Sequence, residues 1–328
     1  PRTVAEIRSA LADERDCTVE ILNYRRNGET FWNRLSITPV RDAAGEVSHY
    51  IGIQSDVTVR RRAEEDLRAA TRELAAANAT MQRELEEAAG IQQAWLPRSL
   101  PRVPGFRFAW SFTPCQELGG DSLNVIRLDR DHVGLYVLDV SGHGVGAALL
   151  SASIQRWLSA VPEHSCLFER ERENPTRYRI VEPAAVAADL NRRFHAEPES
   201  GKFFTLLYGV LDVRDGRFRY VTAGHPPPLR AGASGGETCP VARGLPIGVL
   251  DEFAYVDVEV RLEPGDRLLL YTDGATEAVN AQDEFFGSER LVQALARRRH
   301  EEADAALAAI LAEVYAWGGA AVCEDDIT

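Results

Sequence analysis

The sequence predicts an α+β chain built from three successive segments. Three patterns support this prediction: apolar and polar residues alternate over 17–58, a heptad pattern without proline covers 59–95, and short apolar runs mixed with helical stretches follow Pro97. With 328 residues, of which 45% are hydrophobic, the chain is long enough for about two domains with a substantial core. We place the segment boundaries at 1–58, 59–97 and 98–328.

The first segment reads as a short helix over 2–13 followed by a three-stranded antiparallel meander. The runs CTVEILNYRR, TFWNRLSITPV and VSHYIGIQSDV alternate in the manner of half-buried strands. Asn27-Gly28 separates the first two runs, and this dipeptide between strands is a strong hairpin signal.

The second segment predicts a long helix that pairs with a second copy of the chain. Apolar residues recur every seven positions on one seam, which consists of Leu67, Leu74, Met81 and Ala88. A companion seam beside it contains Ala63, Ala70, Ala77 and Ile91. This narrow stripe indicates a two-helix coiled coil and hence a homodimer through residues 60–95. A single surface helix on a globular domain is the alternative, but its apolar face is usually broader.

The third segment alternates strands and helices. HVGLYVLDV, FFTLLYGVLDV, FRYVTAG and DRLLLYTDG read as strands, whereas Val145–Leu158 and Pro183–Phe194 read as helices. The stretch 162–179 is polar and reads as an irregular, exposed excursion. Strands bunched with intervening helices predict an α+β sandwich.

Charge and cysteine content narrow the classes of function. The formal net charge of −13, with basic residues in short clusters that alternate with acidic stretches, argues against a nucleic-acid partner. We find no apolar run of the ~18–20 residues that cross a bilayer, so the sequence predicts a cytoplasmic protein without a membrane partner. The five scattered cysteines lack CxxC spacing, which predicts reduced thiols and no zinc site.

Four carboxylates follow apolar runs or glycines in a repeated arrangement. Asp139 ends the run GLYVLD, Asp273 ends LLLYTD and precedes Gly274, Asp121 follows Gly119-Gly120, and Asp325 stands beside Asp326 near the last residue. One such acid is typical of an ordinary strand-to-turn junction. Four indicate a cluster of hard oxygen ligands for Mg²⁺ or Mn²⁺, since without a cation their mutual repulsion would be costly.

The order of motifs resembles the bacterial SpoIIE/RsbU-type branch of the metal-dependent PPM (PP2C-like) serine/threonine phosphatases. The matching motifs run in the family's order from residue 91 to residue 328: IQQAWLP, ELGGD, LDVSGHGVGAALL, YVTAGHPPPL, GLPIGV, YTDGATEA, FFG and EDDIT. The resemblance implies an α/β/β/α sandwich for this segment, with a final strand of the family missing after Thr328.

The resemblance also implies the roles of the acids. Asp139 would bridge two Mn²⁺ or Mg²⁺ ions, with the Val140 carbonyl on one ion and Asp273 and Asp325 on the other. Asp121 would act on the metals directly or through a neighbouring group. These four acids would form the catalytic site, in which the two metals activate a water for in-line attack on a phosphomonoester. The implied substrate is a phosphoserine or phosphothreonine protein, specifically an anti-sigma-factor antagonist.

Three positions of this segment depart from the family or invite another role. The family often has an aromatic residue and a second acid where this chain has Ser122-Leu123-Asn124. His143 stands where the family often has lysine, and we interpret it as a loop histidine rather than a proton donor. His225, before three prolines, is interpreted as structural.

The first segment resembles the second half of a PAS domain, specifically of the LOV flavin photosensors, through NYRRNGETFWN and YIGIQSDVT. The resemblance implies that the amides of Asn23, Asn33 and Gln54 contact the polar edge of an FMN isoalloxazine ring. An ordinary PAS sheet with these residues in solvent is the alternative. The family's photochemical cysteine precedes the first helix of this chain, and Cys17 lies on a different segment. We therefore expect FMN only with the missing N-terminal part of the sensor domain.

These inferences predict a cytoplasmic signalling phosphatase regulated by a PAS/LOV sensor. Two other classes stay open: a non-catalytic phosphatase-like interaction module, and a blue-light-controlled dimerisation scaffold. Retention of all four acids favours the enzyme, and a phosphatase assay on dark protein separates the classes. Because both ends are interpreted as trimmed, Asp325 is expected on a terminus prone to fraying.

Overall fold

The computed structural model describes residues 2–115, 117–171, 173–174, 177–195, 201–319 and 325–328. The chain divides into two compact units, Pro1–Arg83 and Glu84–Thr328. Among the described helices, none combines the length and apolar character needed to cross a bilayer.

The first unit contains the predicted helix and meander. Helix α1 (Arg2–Ala12) precedes β1 (Cys17–Tyr24), β2 (Thr30–Arg41) and β3 (Val47–Asp56), which form an antiparallel sheet in the order β1-β2-β3. Apolar residues on one face of the sheet pack with α1 around Ala10, Cys17 and Val19. Gly28 adopts φ 86° in the β1–β2 turn, a conformation that glycine tolerates without a Cβ clash.

Helix α2 (Thr58–Gln93) follows the meander, as the sequence predicted. Its large seam residues Leu67, Leu74 and Met81 are 68, 63 and 56% exposed. Of the residues in this helix, Gln92 alone is buried. These three seam residues are therefore exposed, and pairing of α2 with a second copy of the chain stays a prediction.

The described part of the second unit contains two main sheets, a small two-stranded sheet and four helices that follow α2. Its elements in chain order are β4 (Ser122–Arg127), β5 (His132–Val140), α3 (Val145–Trp157), β6 (Phe168–Arg170), β7 (Tyr178–Ile180), α4 (Pro183–His195), β8 (Phe204–Asp212), β9 (Arg217–Ala223), β10 (Leu229–Gly232), β11 (Gly235–Thr238), β12 (Val258–Arg261), β13 (Arg267–Leu269), α5 (Gly287–Arg297) and α6 (Ala303–Gly318). The larger sheet has the order β12-β9-β8-β5-β4, and the smaller has the order β11-β10-β13.

Three hydrophobic clusters stack these elements in four layers. Tyr136 and Leu138 on one face of β5 pack against Ile154 of α3 and Leu190 of α4. The opposite face of the larger sheet packs toward β13 of the smaller sheet. The smaller sheet in turn packs against α5 and α6. The result is the α/β/β/α sandwich that the resemblance implied.

Three features of this unit differ from the sequence-based prediction. The stretch 162–179 was predicted to be irregular, yet it contains most of the β6–β7 hairpin, because Cys166 and Leu167 are buried in the core. Helices α5 and α6 were not predicted. The run DRLLLYTDG forms only a three-residue strand, which ends at Leu269.

Candidate active site

Asp139 lies at the end of β5, directly opposite Thr205 of β8. Its side chain is half-buried. Burial and, to a smaller extent, the charges of Asp273, Asp325 and Asp326 together raise the pKa of Asp139 to about 7. Acids distant in the sequence therefore converge on the end of this strand.

Asp121 lies immediately before β4 and is 2% exposed. The Thr272 hydroxyl donates to Asp121 Oδ2 at 2.8 Å, and the Thr328 backbone N–H donates to the same hydroxyl at 3.1 Å. Burial raises the pKa of Asp121 well above its usual value, and the charge of Asp139 adds to this effect. Thr272 thus fixes Asp121 near Asp139 and links Asp121 to the backbone of Thr328.

Asp273 begins a single 3-10 turn, Asp273–Ala275, rather than ending a strand. An acid followed by glycine is typical of an ordinary strand-to-turn junction, but the structure gives a different reason for this glycine. A Cβ on Gly274 would lie 2.0 Å from the Asp326 carbonyl oxygen, and the φ of Gly274 is not in the left-handed region. Glycine is needed here because the segment that carries Asp325 and Asp326 packs directly against it.

The segment 325–328 is anchored at several points. Asp326 is buried and accepts hydrogen bonds from the backbone N–H groups of Cys115, at 2.9 Å, and Asp121, at 3.2 Å. Ile327 exchanges two backbone hydrogen bonds with Thr113, of 2.8 and 2.9 Å. Asp325 is exposed as a residue, but its carboxyl group is partly shielded from water. This partial burial and the nearby charges of Asp273 and Asp326 raise the pKa of Asp325. Cys115, Asp121 and Thr113 thus anchor the two residues that follow Asp325, where we had expected fraying.

Two glycines before Asp121 allow this close packing. A Cβ on Gly119 would lie 2.2 Å from Asp326 Oδ2, and one on Gly120 would lie 2.6 Å from the Val140 carbonyl oxygen. The Val140 carbonyl, a predicted metal ligand, is therefore at the edge of the acid cluster. The ELGGD motif owes its two glycines to these contacts.

A buried glutamine also holds the loop that precedes Asp121. Gln92, at the end of α2, donates through Nε2 to the Gly119 carbonyl at 2.7 Å and accepts from the Gly119 N–H at 3.2 Å. Sequence reasoning found the IQQAWLP motif but gave Gln92 no role. The match of the IQQAWLP motif to the family was the signal that could have pointed to Gln92. Composition could not, because it does not distinguish one glutamine from another on a polar helix.

Other residues near the acids were also missed or left open. Asp326 was noted but not given a role, and Thr272 was not singled out. Burial raises the pKa of Glu277, and Asp273 and Asp325 contribute, which places this exposed acid at the rim of the cluster. His143 is exposed, and its charge lowers the pKa of Asp325, so the loop histidine lies near that acid.

The donor set fits a hard divalent cation. Carboxylates that raise one another's pKa are stabilised in their ionised form when a cation binds between them. Cys115 lies beside Asp325 and Asp326, and their ligand atoms lie within 4.8 Å of one another. Burial and the Asp326 charge raise the pKa of the Cys115 thiol to about 12, so that oxygen atoms, not a thiolate, are the ready ligands.

The predicted flavin-contacting amides lie together in the first unit. Asn33 pairs with Ile21, and Gln54 pairs with Leu35, which places Asn23, Asn33 and Gln54 on one face of the sheet. Asn33 Nδ2 donates to Gln54 Oε1 at 3.2 Å. Asn33 is 1% exposed, yet its Oδ1 has no hydrogen-bond partner. A buried acceptor without a donor fits a ligand that supplies an N–H group, as the flavin edge does.

Relatives agree with this architecture. RsbU, a phosphoserine phosphatase of Bacillus subtilis, is 26% identical over 195 residues, which are 59% of this chain and 53% of RsbU. A blue-light-activated histidine kinase of Rhizobium johnstonii is 52% identical over 64 residues, 20% of this chain and 19% of the kinase. The solved SiaA-PP2C domain of Pseudomonas aeruginosa superposes with a TM-score of 0.63 at 24% identity, over 77% of this chain and 96% of that domain.

Two packed sheets between helix pairs, with acids converging at the end of β5, define the PP2C-like (PPM) class of phosphatase domain. The chain belongs to the SpoIIE family within this class: the family described as Stage II sporulation protein E matches residues 129–328, well over half of the chain. A PAS domain matches residues 1–59. The predicted combination of a PAS/LOV-type sensor and a SpoIIE-type phosphatase domain is confirmed. The chain spans about half the length of RsbU and about a fifth of that of the kinase.

Proposed function

We propose that the protein is a metal-dependent phosphatase that hydrolyses phosphoserine or phosphothreonine on a protein substrate. The observation that carries this proposal is the convergence of Asp121, Asp139, Asp273 and Asp325 at one end of β5. These acids come from four distant segments, and Thr272, Gly274 and Asp326 pack them together.

Asp139, Asp273 and Asp325 would hold two Mn²⁺ or Mg²⁺ ions, with the Val140 carbonyl as a further ligand. When bound, such ions supply the Lewis acidity that activates water and stabilises charge on a phosphoryl group. Thr272 donates to Asp121 Oδ2 and so fixes this carboxylate, whose pKa shows that it lies near Asp139. Because Asp326 binds two backbone N–H groups, its contribution is to fix the loop that carries Asp121.

The exposure of the site supports a protein substrate. Asp325 and Glu277 are exposed, and Asp139 and Asp273 are half-buried, so these four acids are open to solvent although Asp121 is buried. A phosphorylated side chain presented on a folded protein could therefore reach them. An anti-sigma-factor antagonist is the substrate class that we propose, on the similarity to RsbU.

The remaining parts would regulate this activity. Segment 1–58 would act as the sensor, segment 59–97 as a coiled-coil linker in a homodimer, and segment 98–328 as the catalytic domain. Asn23, Asn33 and Gln54 would contact FMN in a protein that carries the complete sensor domain. We place the protein in the cytoplasm, with no nucleic acid or membrane among its partners.

The test is a hydrolysis assay with p-nitrophenyl phosphate and with a phosphoserine-bearing protein, in the presence of EDTA, Mg²⁺ or Mn²⁺. Turnover that appears only with the metals is expected. A well-folded protein that binds neither metal and hydrolyses neither compound would instead be a non-catalytic interaction module.

A further inference from the structure

A buried histidine connects the larger sheet to the segment between β13 and Asp273, beside the acid cluster. His225 follows β9 and is 6% exposed, and both of its ring nitrogens are engaged. Nδ1 lies 2.7 Å from Thr205 Oγ1, and Nε2 lies 3.0 Å from the Tyr271 carbonyl oxygen. The two partners belong to different parts of the fold: Thr205 lies on β8, whereas Tyr271 lies in the segment that follows β13.

The chemistry of the partners fixes the direction of both hydrogen bonds. A carbonyl oxygen only accepts, so Nε2 carries the hydrogen and donates it to Tyr271. Burial lowers the pKa of His225 to about 3, and the ring is therefore neutral at working pH. In a neutral ring with hydrogen on Nε2, Nδ1 accepts, and Thr205 must donate its hydroxyl hydrogen.

Each partner stands next to a predicted metal ligand. Thr205 is the residue of β8 directly opposite Asp139, and Tyr271 is two residues before Asp273. Tyr271 is buried against the α5 and α6 layer, whereas Thr205 belongs to the larger sheet. His225 thus spans the separation between the backbone that carries Asp139 and the backbone that carries Asp273.

The loop of His225 is itself held firmly. Gly224 adopts φ 68°, and a Cβ there would lie 2.4 Å from Pro246. A backbone bridge also joins Gly224 to Leu206, the residue after Thr205. The imidazole therefore projects from a constrained backbone rather than from a loop free to follow its partners.

We infer that His225 is a positioning residue for the metal centre: through Thr205 and Tyr271 it sets the spacing of Asp139 and Asp273 that a divalent pair requires. This inference rests on the proposed function. Groups that orient metal ligands in this way typically change metal affinity about 10- to 100-fold when removed.

The test measures Mn²⁺ affinity by calorimetry together with the Mn²⁺ concentration for half-maximal hydrolysis. Thr205→Val keeps the shape but removes the donor to Nδ1, and it should weaken Mn²⁺ binding about tenfold. Thr205→Ser retains the hydroxyl and should restore affinity. His225→Ala should lose more, with circular dichroism to confirm the fold. The effect should fall on the metal requirement more than on turnover at saturating metal.

Tyr220→Phe is the matched control, because it removes a buried hydroxyl that donates to the Pro240 carbonyl. Tyr220 lies on β9 opposite Gly209, four residues along β8 from Thr205, so its loss should leave Mn²⁺ affinity unchanged. Equal Mn²⁺ affinity in Thr205→Val and parent, or no rescue by Thr205→Ser, would overturn the positioning role. Failure of the parent to bind Mn²⁺ at all would instead overturn the proposed function and this inference with it.

Discussion

The two polar sites of this protein are built over very different distances along the chain. Asn23, Asn33 and Gln54 lie on three consecutive strands, and the register of one meander places them on one face. The acids extend from Asp121 to Asp325 and meet only because two sheets and the last residues pack together. A site of the first kind depends on local pairing, whereas a site of the second kind depends on residues that never touch the ligand.

The largest effect that tests this contrast is expected at the acids themselves. Asp139→Asn or Asp273→Asn keeps the shape of the side chain but removes its charge, so Mn²⁺-dependent hydrolysis should fall more than about 100-fold. Asp129→Asn, an exposed acid in the β4–β5 turn, is the control and should stay within about threefold. Near-parental turnover in both active-site variants would show that these acids are turn residues.

A smaller but still large effect is expected from Gln92, which touches no acid. Gln92→Ala leaves the buried N–H and carbonyl of Gly119 without partners, at a cost of about 1–3 kcal/mol for each group. The loop before Asp121 should loosen, and both thermal stability and hydrolysis should fall. Gln93→Ala, the exposed neighbour, is the matched control.

Thermal unfolding and Mn²⁺ titration of the two glutamine variants give the comparison. If Gln92→Ala loses stability but keeps the parental metal requirement, the acid cluster does not depend on its distant supports as strongly as we argue. If both variants match the parent, the two hydrogen bonds contribute nothing measurable.

This contrast also explains what could be predicted from the sequence. The meander, α2, α3 and α4 follow from alternation, heptads and turn signals, which are local. Asp121, Asp139 and Asp273 were recognised because each has a local signature of glycine or an apolar run, and the family resemblance supported Asp325 and the order of all four acids. The register of Asn33 against Gln54 then required only that the meander be correct.

Other features depend on contacts between distant residues and leave no local signal. Gly274 was assigned to a turn, but it faces the Asp326 carbonyl, a neighbour 52 positions away that only the folded structure reveals. Gln92 and Thr272 are ordinary polar residues until the loop and the last residues pack on them. Helix α6 has apolar residues on nearly all sides, so its 3.6-residue period is weak and it escaped prediction.

The linker between the two regions offers a test of intermediate size. Inserting seven residues between Ala70 and Thr71 keeps the Leu67–Leu74 seam in phase, whereas inserting four rotates it. Regulated activity should survive the first insertion and be uncoupled or inverted by the second. Leu74→Glu should weaken dimerisation, with Arg72→Ala as the exposed control beside the seam.

Light scattering and hydrolysis rates measured in the protein with a complete sensor domain decide this prediction. A monomer at all concentrations, or identical behaviour of both insertions, would reduce α2 to a spacer. The exposed seam residues would then need no partner at all.

The smallest expected effect concerns Asn33, and it is a gain in stability, whereas the other variants lose activity, stability or dimerisation. Its Oδ1 is buried without a donor, so Asn33→Leu removes an unsatisfied polar atom while filling a similar volume. The hydrogen bond that it gives up ends on Gln54, an exposed side chain that water can satisfy. In this chain the variant should therefore gain about 1 kcal/mol in unfolding free energy, seen as a Tm higher by a few degrees. Asn23→Leu is the control: Asn23 is half-buried and its Oδ1 already accepts from the Tyr24 N–H at 2.8 Å, so no gain is expected.

With a complete sensor domain, Asn33→Leu should also weaken FMN uptake, because a polar group kept at a cost to stability is most simply kept for a ligand. Destabilisation by Asn33→Leu in this chain would show that Oδ1 is satisfied without FMN, and the sheet would then be an ordinary PAS sheet.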